Sequence, residues 1–182
     1  FRRVLFRSAF GMLFLAGMRL LHLALIVVST GLLGALLIRT AEYRLQRLIA
    51  YTDPWADPYG SGFQLVQSLI AFGRGEWLGV GLGNSVQKLF YLPEAHTDFV
   101  FSIWAEETGF VGALVLILLF LALVLRIFAT GRAALLAGHP FAAYLCFGVA
   151  LMFSGQAFVN MGVSSGLLPT KGLTLPLVSY GG

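Results

Sequence analysis

The chain has 182 residues, of which 58% are hydrophobic and only 11% charged, and its mean hydropathy is +0.86. A soluble domain is nearer half apolar and a quarter charged, so a water-soluble fold of this length has nowhere to hide such a surface, and lipid must solvate much of it. The formal charge of +4 includes Arg2, Arg3 and Arg7; without them the chain is close to neutral, and its basicity gives no sign of nucleic acid.

Residues 1–8 are expected to be non-native. The stretch 2–8 resembles the translation of a common short-read sequencing adapter, and no initiator Met precedes it; a basic amphipathic native start is the alternative. Residues 9–17 are apolar but fall short of the ~20 that a span requires, so they read as the tail of a truncated helix. Arg19 and His22 mark a polar turn. Spans are then expected over about 20–38, 99–128 and 141–163, with a long polar loop over about 39–97.

Glu106 and Glu107 fall in the first third of the second span, where burial in hydrocarbon is costly. The lipid-embedded part is therefore expected over 109–127, with 98–108 standing above it or facing a polar cavity. Cation counting does not orient the chain. Arg126, Arg132 and His139 share a side with Arg19 by parity, yet the long loop carries Arg39, Arg44, Arg47, Arg74 and Lys88. An anionic ligand would account for that excess.

A loop this long is not structureless in a compact domain. Phe63, Val66 and Ile70 recur at helical spacing and predict a short surface helix over 62–72. Asp53-Pro54-Trp55 and Asp57-Pro58-Tyr59-Gly60 are turn-formers with aromatics suited to the headgroup layer. The glycines from Gly73 to Gly83 lack the Gly-x-Gly-x-x-Gly spacing and the strand-to-helix setting of a nucleotide loop, and read as tight turns. Cys146 is the one cysteine, which excludes a disulfide within the chain.

Several runs resemble a known family. Asp57-Pro58-Tyr59-Gly60-Ser61-Gly62-Phe63-Gln64, Gly79-Val80-Gly81-Leu82-Gly83-Asn84-Ser85-Val86-Gln87-Lys88 and Leu92-Pro93-Glu94-Ala95-His96-Thr97-Asp98-Phe99 are similar to the long external loop of the SEDS proteins (shape, elongation, division and sporulation). Leu168-Pro169-Thr170-Lys171-Gly172 and Leu175-Pro176-Leu177-Val178-Ser179-Tyr180-Gly181-Gly182 extend the likeness. Phe72-Gly73-Arg74-Gly75-Glu76 and Lys171 favour the division branch over the elongation branch.

The resemblance implies an all-α polytopic membrane protein, a fragment of a ten-helix SEDS bundle with a long external loop on the periplasmic face of the bacterial inner membrane. It implies a glycosyltransferase that polymerises lipid II, a disaccharide-pentapeptide on a polyprenyl diphosphate, into peptidoglycan during cell division. Its partners would be a class B penicillin-binding protein transpeptidase and other division proteins at the septum. The family's catalytic aspartate falls on Asp98. A fragment without the first half of the bundle is expected to be inactive alone.

The chemistry asks for a base at an attacking sugar hydroxyl and cations at a departing diphosphate. Asp98, at the membrane–water boundary, suits the base; an acid that merely satisfies helix N-terminal amides is the plain alternative. At 100° per residue Asp98, Ser102, Ala105 and Gly109 lie within about 60° on one helical face, with Glu106 flanking it. That stripe reads as a substrate groove or as close helix packing. Gln156, Asn160 and Ser164 recur every four residues and either bond to a neighbouring helix or face a catalytic cavity. Arg74, Lys88 and Lys171 are candidates for diphosphate or carboxylate contact, or ordinary surface cations. His96 is a candidate for contact with substrate or base, or a solvated loop histidine. No cluster has metal-ligand spacing and no cofactor is identified, although a divalent cation at the diphosphate would suit the chemistry. The rival functions are a lipid II flippase and a non-enzymatic division scaffold.

Overall fold

The computed structural model describes residues 12, 20–39, 51–60, 62–87, 97–169 and 172–180. Residues 1–8 lie outside the described residues, as do Lys88, His96 and Lys171. Among the described residues all regular structure is helical: α1 (Leu20–Arg39), α2 (Phe63–Gly75), α3 (Val100–Leu136) and α4 (Pro140–Ser164). α3 and α4 are long and apolar enough to cross a membrane. The short surface helix expected over 62–72 is α2. It starts one residue later and runs through Gly75, where the chain leaves the helix at Glu76 with φ 44°.

The chain divides into two compact units, Phe1–Glu42 with Phe120–Gly155, and Tyr43–Leu119 with Gln156–Gly182. In the first, α1 presents Leu21, Leu25, Val27, Val28, Leu32 and Leu33, each more than half exposed. Apolar exposure of that extent is unfavourable in water and ordinary in lipid. In the same unit the chain reverses between α3 and α4 through a glycine-capped turn. Gly138 adopts φ 80°, and the amides of Gly138 and His139 return to the carbonyls of Leu135 and Ala134, satisfying the end of α3 before Pro140 opens α4. The two helices approach closely at Gly131, where a Cβ would lie 2.7 Å from the Phe147 ring. Phe128 stacks against Phe147 with centroids 5.7 Å apart.

The second unit holds the candidate site. Its core is Phe99, Ile103, Val159 and Val163, with Leu168 and Leu173 packed against it. α2 lies on α3 through Gly75, where a Cβ would sit 2.1 Å from the Ala105 carbonyl oxygen, and through an edge-to-face contact of Phe72 with Phe101. The buried Ser68 hydroxyl donates to the Ser164 carbonyl at 2.6 Å, satisfying an orphan acceptor at the end of α4. The expected turns at Asp53 and Asp57 are present. Their carbonyls accept from Ala56 and from Gly60 and Gly62, leaving Trp55 and Tyr59 exposed.

α3 is broken. Gly109 adopts φ 70°, ψ −169°, outside the helical region. The loop after α2 fills the break with its backbone. Val80 and Gly81 donate to the carbonyls of Glu106 and Glu107, while the amides of Phe110 and Val111 donate to the carbonyls of Glu76 and Trp77. Four backbone groups that a helix would have paired internally are thus paired by the loop, and an apolar environment demands such pairing. The close approach requires glycine on both sides. A Cβ at Gly79 would lie 2.1 Å from the Glu107 carbonyl oxygen, and one at Gly109 would lie 2.4 Å from the Gly79 nitrogen. Gly79, Gly81 and Gly83 all have positive φ, as tight turns require.

Candidate functional site

Asp98 lies two residues before α3, half-buried, on the short stretch that leads from the long loop into the helix. Two polar side chains from elsewhere hold the backbone of this stretch. Asn160, buried on α4, donates from Nδ2 to the Asp98 carbonyl at 2.8 Å and to the Leu173 carbonyl at 2.7 Å. Ser179 donates to the Thr97 carbonyl at 2.7 Å and accepts from the Leu175 amide at 2.8 Å. The segment 172–180 is therefore tied to residues 97 and 98 from two directions. Gly172 faces the carboxylate: a Cβ there would lie 2.7 Å from Asp98 Oδ2.

Glu106 occupies a second polar node, two turns along α3. It is fully buried. Its Oε2 accepts from the Ser85 hydroxyl at 2.5 Å and the Gln87 amide at 3.4 Å, and its Oε1 accepts from the Val86 amide at 3.3 Å. Arg74 Nε approaches Oε1 at 3.8 Å from the half-exposed end of α2. A buried carboxylate needs such compensation. Here the loop 85–87 supplies most of it and the guanidinium completes it.

The remaining candidates among the described residues have defined places. Ser102 is buried and returns its hydroxyl to the Phe99 carbonyl at 2.7 Å, within its own helix. Gln156 is half-buried on α4, one turn before Asn160. Asn160 thus bonds to the chain entering a neighbouring helix, and Arg74 joins Glu106. Sequence reasoning did not single out Ser85, Ser179 or Gly172. Each stands in one of the motif runs, but only the fold shows that a serine far along the chain closes on a carbonyl at residue 97.

An apolar cavity of about 600 Å³ lies in the same unit, lined by Phe72, Phe101, Phe110, Phe158 and Leu168 among others. Among the described residues Glu76 is the one ionisable residue in that lining, and the surface the cavity offers is mainly apolar.

Comparison with known proteins decides the family. Residues 2–182 match the FtsW/RodA/SpoVE cell cycle protein family. The chain belongs to that family. Two members are probable peptidoglycan glycosyltransferases FtsW. The one from Methylococcus capsulatus is 59% identical over 179 residues, covering 98% of this chain and 45% of that protein. The one from Halomonas elongata is 60% identical over 172 residues, covering 94% of this chain and 43% of that protein. The chain thus spans somewhat under half the length of these FtsW/RodA/SpoVE relatives. A chain from a solved peptidoglycan synthase complex that coordinates polymerization and crosslinking superposes with a TM-score of 0.69 at 36% identity, covering 98% of this chain and 48% of that one. The family agrees with the motif resemblance, and the helices agree with a polytopic membrane protein.

Proposed function

We propose that the full-length protein polymerises lipid II into glycan strands of peptidoglycan, with Asp98 as the general base. The observation that carries this reading is the placement of Asp98. It is half-buried at the entrance to an apolar helix, and its backbone is fixed by Asn160 and Ser179 through the carbonyls at 98 and 97. A substrate with its tail in lipid and its sugars in water would react at such a boundary. Relatives covering nearly the whole chain are named probable peptidoglycan glycosyltransferases, which supports the broader reaction class.

In the reaction, Asp98 takes the proton from the attacking sugar 4-hydroxyl as that oxygen bonds to the anomeric carbon of the second sugar. The bond from that carbon to the diphosphate breaks on the opposite face, and the polyprenyl diphosphate leaves with the electron pair. One displacement of this kind inverts the anomeric centre and needs no covalent enzyme intermediate, as in inverting glycosidases. Cations must meet the leaving diphosphate, a role we assign to Lys88 and Lys171, with His96, two residues before Asp98 in the sequence, as a contact for substrate or base. Arg74 contributes through its pairing with Glu106. The protein would act in the inner membrane at the septum beside a class B penicillin-binding protein.

The test uses full-length protein purified with its transpeptidase partner and supplied with labelled lipid II. A positioned base contributes about 10²–10⁴-fold in rate, and Asp98→Asn is expected to lose polymer by about that factor. Flipping of lipid II without polymer would establish a transporter instead. Normal division in cells carrying Asp98→Asn would leave a scaffold.

A further inference from the structure

We propose that the segment 172–179, with Asn160, is a positioning device for Asp98. Gly172 gives the carboxylate its seat, and Asn160 and Ser179 lock the backbone behind it. The inference rests on Asp98 acting as the base and goes beyond it by assigning what aims that base.

Three observations converge. The first is steric. The three heavy atoms nearest to a Cβ built at Gly172 all belong to the Asp98 side chain: Oδ2 at 2.7 Å, Cγ at 3.5 Å and Oδ1 at 3.7 Å. Gly172 is exposed. What alanine would meet is the carboxylate.

The second is the use of Asn160. Only the amide nitrogen can donate to two carbonyls, so its orientation follows from the Asp98 and Leu173 oxygens. Both donors are thereby committed, and the buried Oδ1 has no partner among the described residues. A lone buried acceptor is unfavourable by itself. The arrangement grips the carbonyl on each side of the seat while leaving one of the amide's own atoms unpaired.

The third is Ser179, whose hydroxyl reads both chains at once, donating to the Thr97 carbonyl and accepting from the Leu175 amide. Adjacent carbonyls at 97 and 98 are therefore held by different elements. The peptide that carries the Asp98 side chain cannot rotate without breaking one of the two bonds. A base fixed in this way is poised before substrate arrives.

Gly172→Ala is the informative substitution because its clash falls on a side-chain carboxylate and not on backbone. Folding should survive while aim is lost. In the full-length protein with its transpeptidase partner, a displacement near 1 Å is expected to lower kcat by about 10- to 100-fold with KM within about threefold. The thermal unfolding midpoint in detergent should not move. Ser179→Ala, which loosens the backbone from the other side, should lower kcat in the same sense and carries the test if Gly172→Ala does not fold. In an Asp98→Asn background Gly172→Ala should add no further loss, since the group it acts through is gone.

Unchanged kcat in both Gly172→Ala and Ser179→Ala would overturn the proposal. So would a rise in KM at constant kcat, which would place Gly172 on substrate instead of on the base. An equal loss with and without the Asp98 carboxylate would overturn it as well. If Asp98→Asn alone keeps full activity, the base assignment itself fails, and that result is read independently of the Gly172 variant.

Discussion

Glu106→Gln should release the 76–87 loop far more than removal of its ion-pair partner does. The carboxylate is fully buried and takes three hydrogen bonds from residues 85–87, one of them at 2.5 Å from a hydroxyl. Hydrogen bonds to a charged group contribute about 1.5–3 kcal/mol at good geometry. The two amide contacts are long at 3.3 and 3.4 Å and count for less. Glutamine has a single acceptor oxygen, and its NH₂ would turn a donor toward a donor. The net loss is about 3–4 kcal/mol, dominated by the buried groups left without partners. Arg74 is 45% exposed and its Nε stands 3.8 Å from the carboxylate. Exposed cations of that kind contribute about 0–1 kcal/mol, so Arg74→Ala should be mild.

Amide hydrogen exchange over residues 76–87 of the full-length protein measures the difference directly. A loss of about 3 kcal/mol raises the local opening equilibrium by over 100-fold, and one of under 1 kcal/mol raises it by less than about 5-fold. Equal acceleration in the two variants would refute the reasoning, because it would make the guanidinium and not the loop the partner that matters. Glu106→Gln with unchanged exchange would refute it more directly.

Gly109→Ala should prevent folding or lower the melting temperature severely. The new Cβ meets backbone at 2.4–2.6 Å on the loop, and positive φ alone costs a non-glycine residue about 1–3 kcal/mol; yield and melting of the detergent-solubilised protein are the readouts. Ser68→Ala should cost about 1–2 kcal/mol by orphaning the buried Ser164 carbonyl, seen as a lower unfolding midpoint with polymerisation retained. Asp98→Asn should leave that midpoint in place while lowering polymer by about 10²–10⁴-fold, which separates a reacting group from a merely structural acid.

Composition alone made lipid the solvent, and the 3.6-residue recurrence of Phe63, Val66 and Ile70 was enough to find α2. Period and hydropathy report local preference, so they located helices well. The acidic pair Glu106-Glu107 marked where the apolar stretch begins, but local preference could not show that the helix itself breaks at Gly109. The break exists through a partner, the backbone of residues 76–81. Glu106 illustrates the same limit. Its spacing put it beside a possible groove, whereas its carboxylate is enclosed by Ser85, Val86 and Gln87, about twenty residues upstream. No helical wheel contains those residues. Asn160 was legible as a polar residue that bonds to a neighbour, and only the fold identified that neighbour as the Asp98 carbonyl.

The two polar nodes have a common consequence for Asp98. Residues 97–108 are secured at the start by Asn160 and Ser179, in the middle by the Glu106 carboxylate, and at the end by the loop backbone that fills the break at Gly109. A continuous helix would have tied Asp98 to the residues beyond Gly109 through its own backbone alone. At the break the 76–81 backbone takes the place of those helical bonds and joins the two sides. Asp98 is therefore positioned by the 76–87 loop and the 172–179 segment as well as by its own helix.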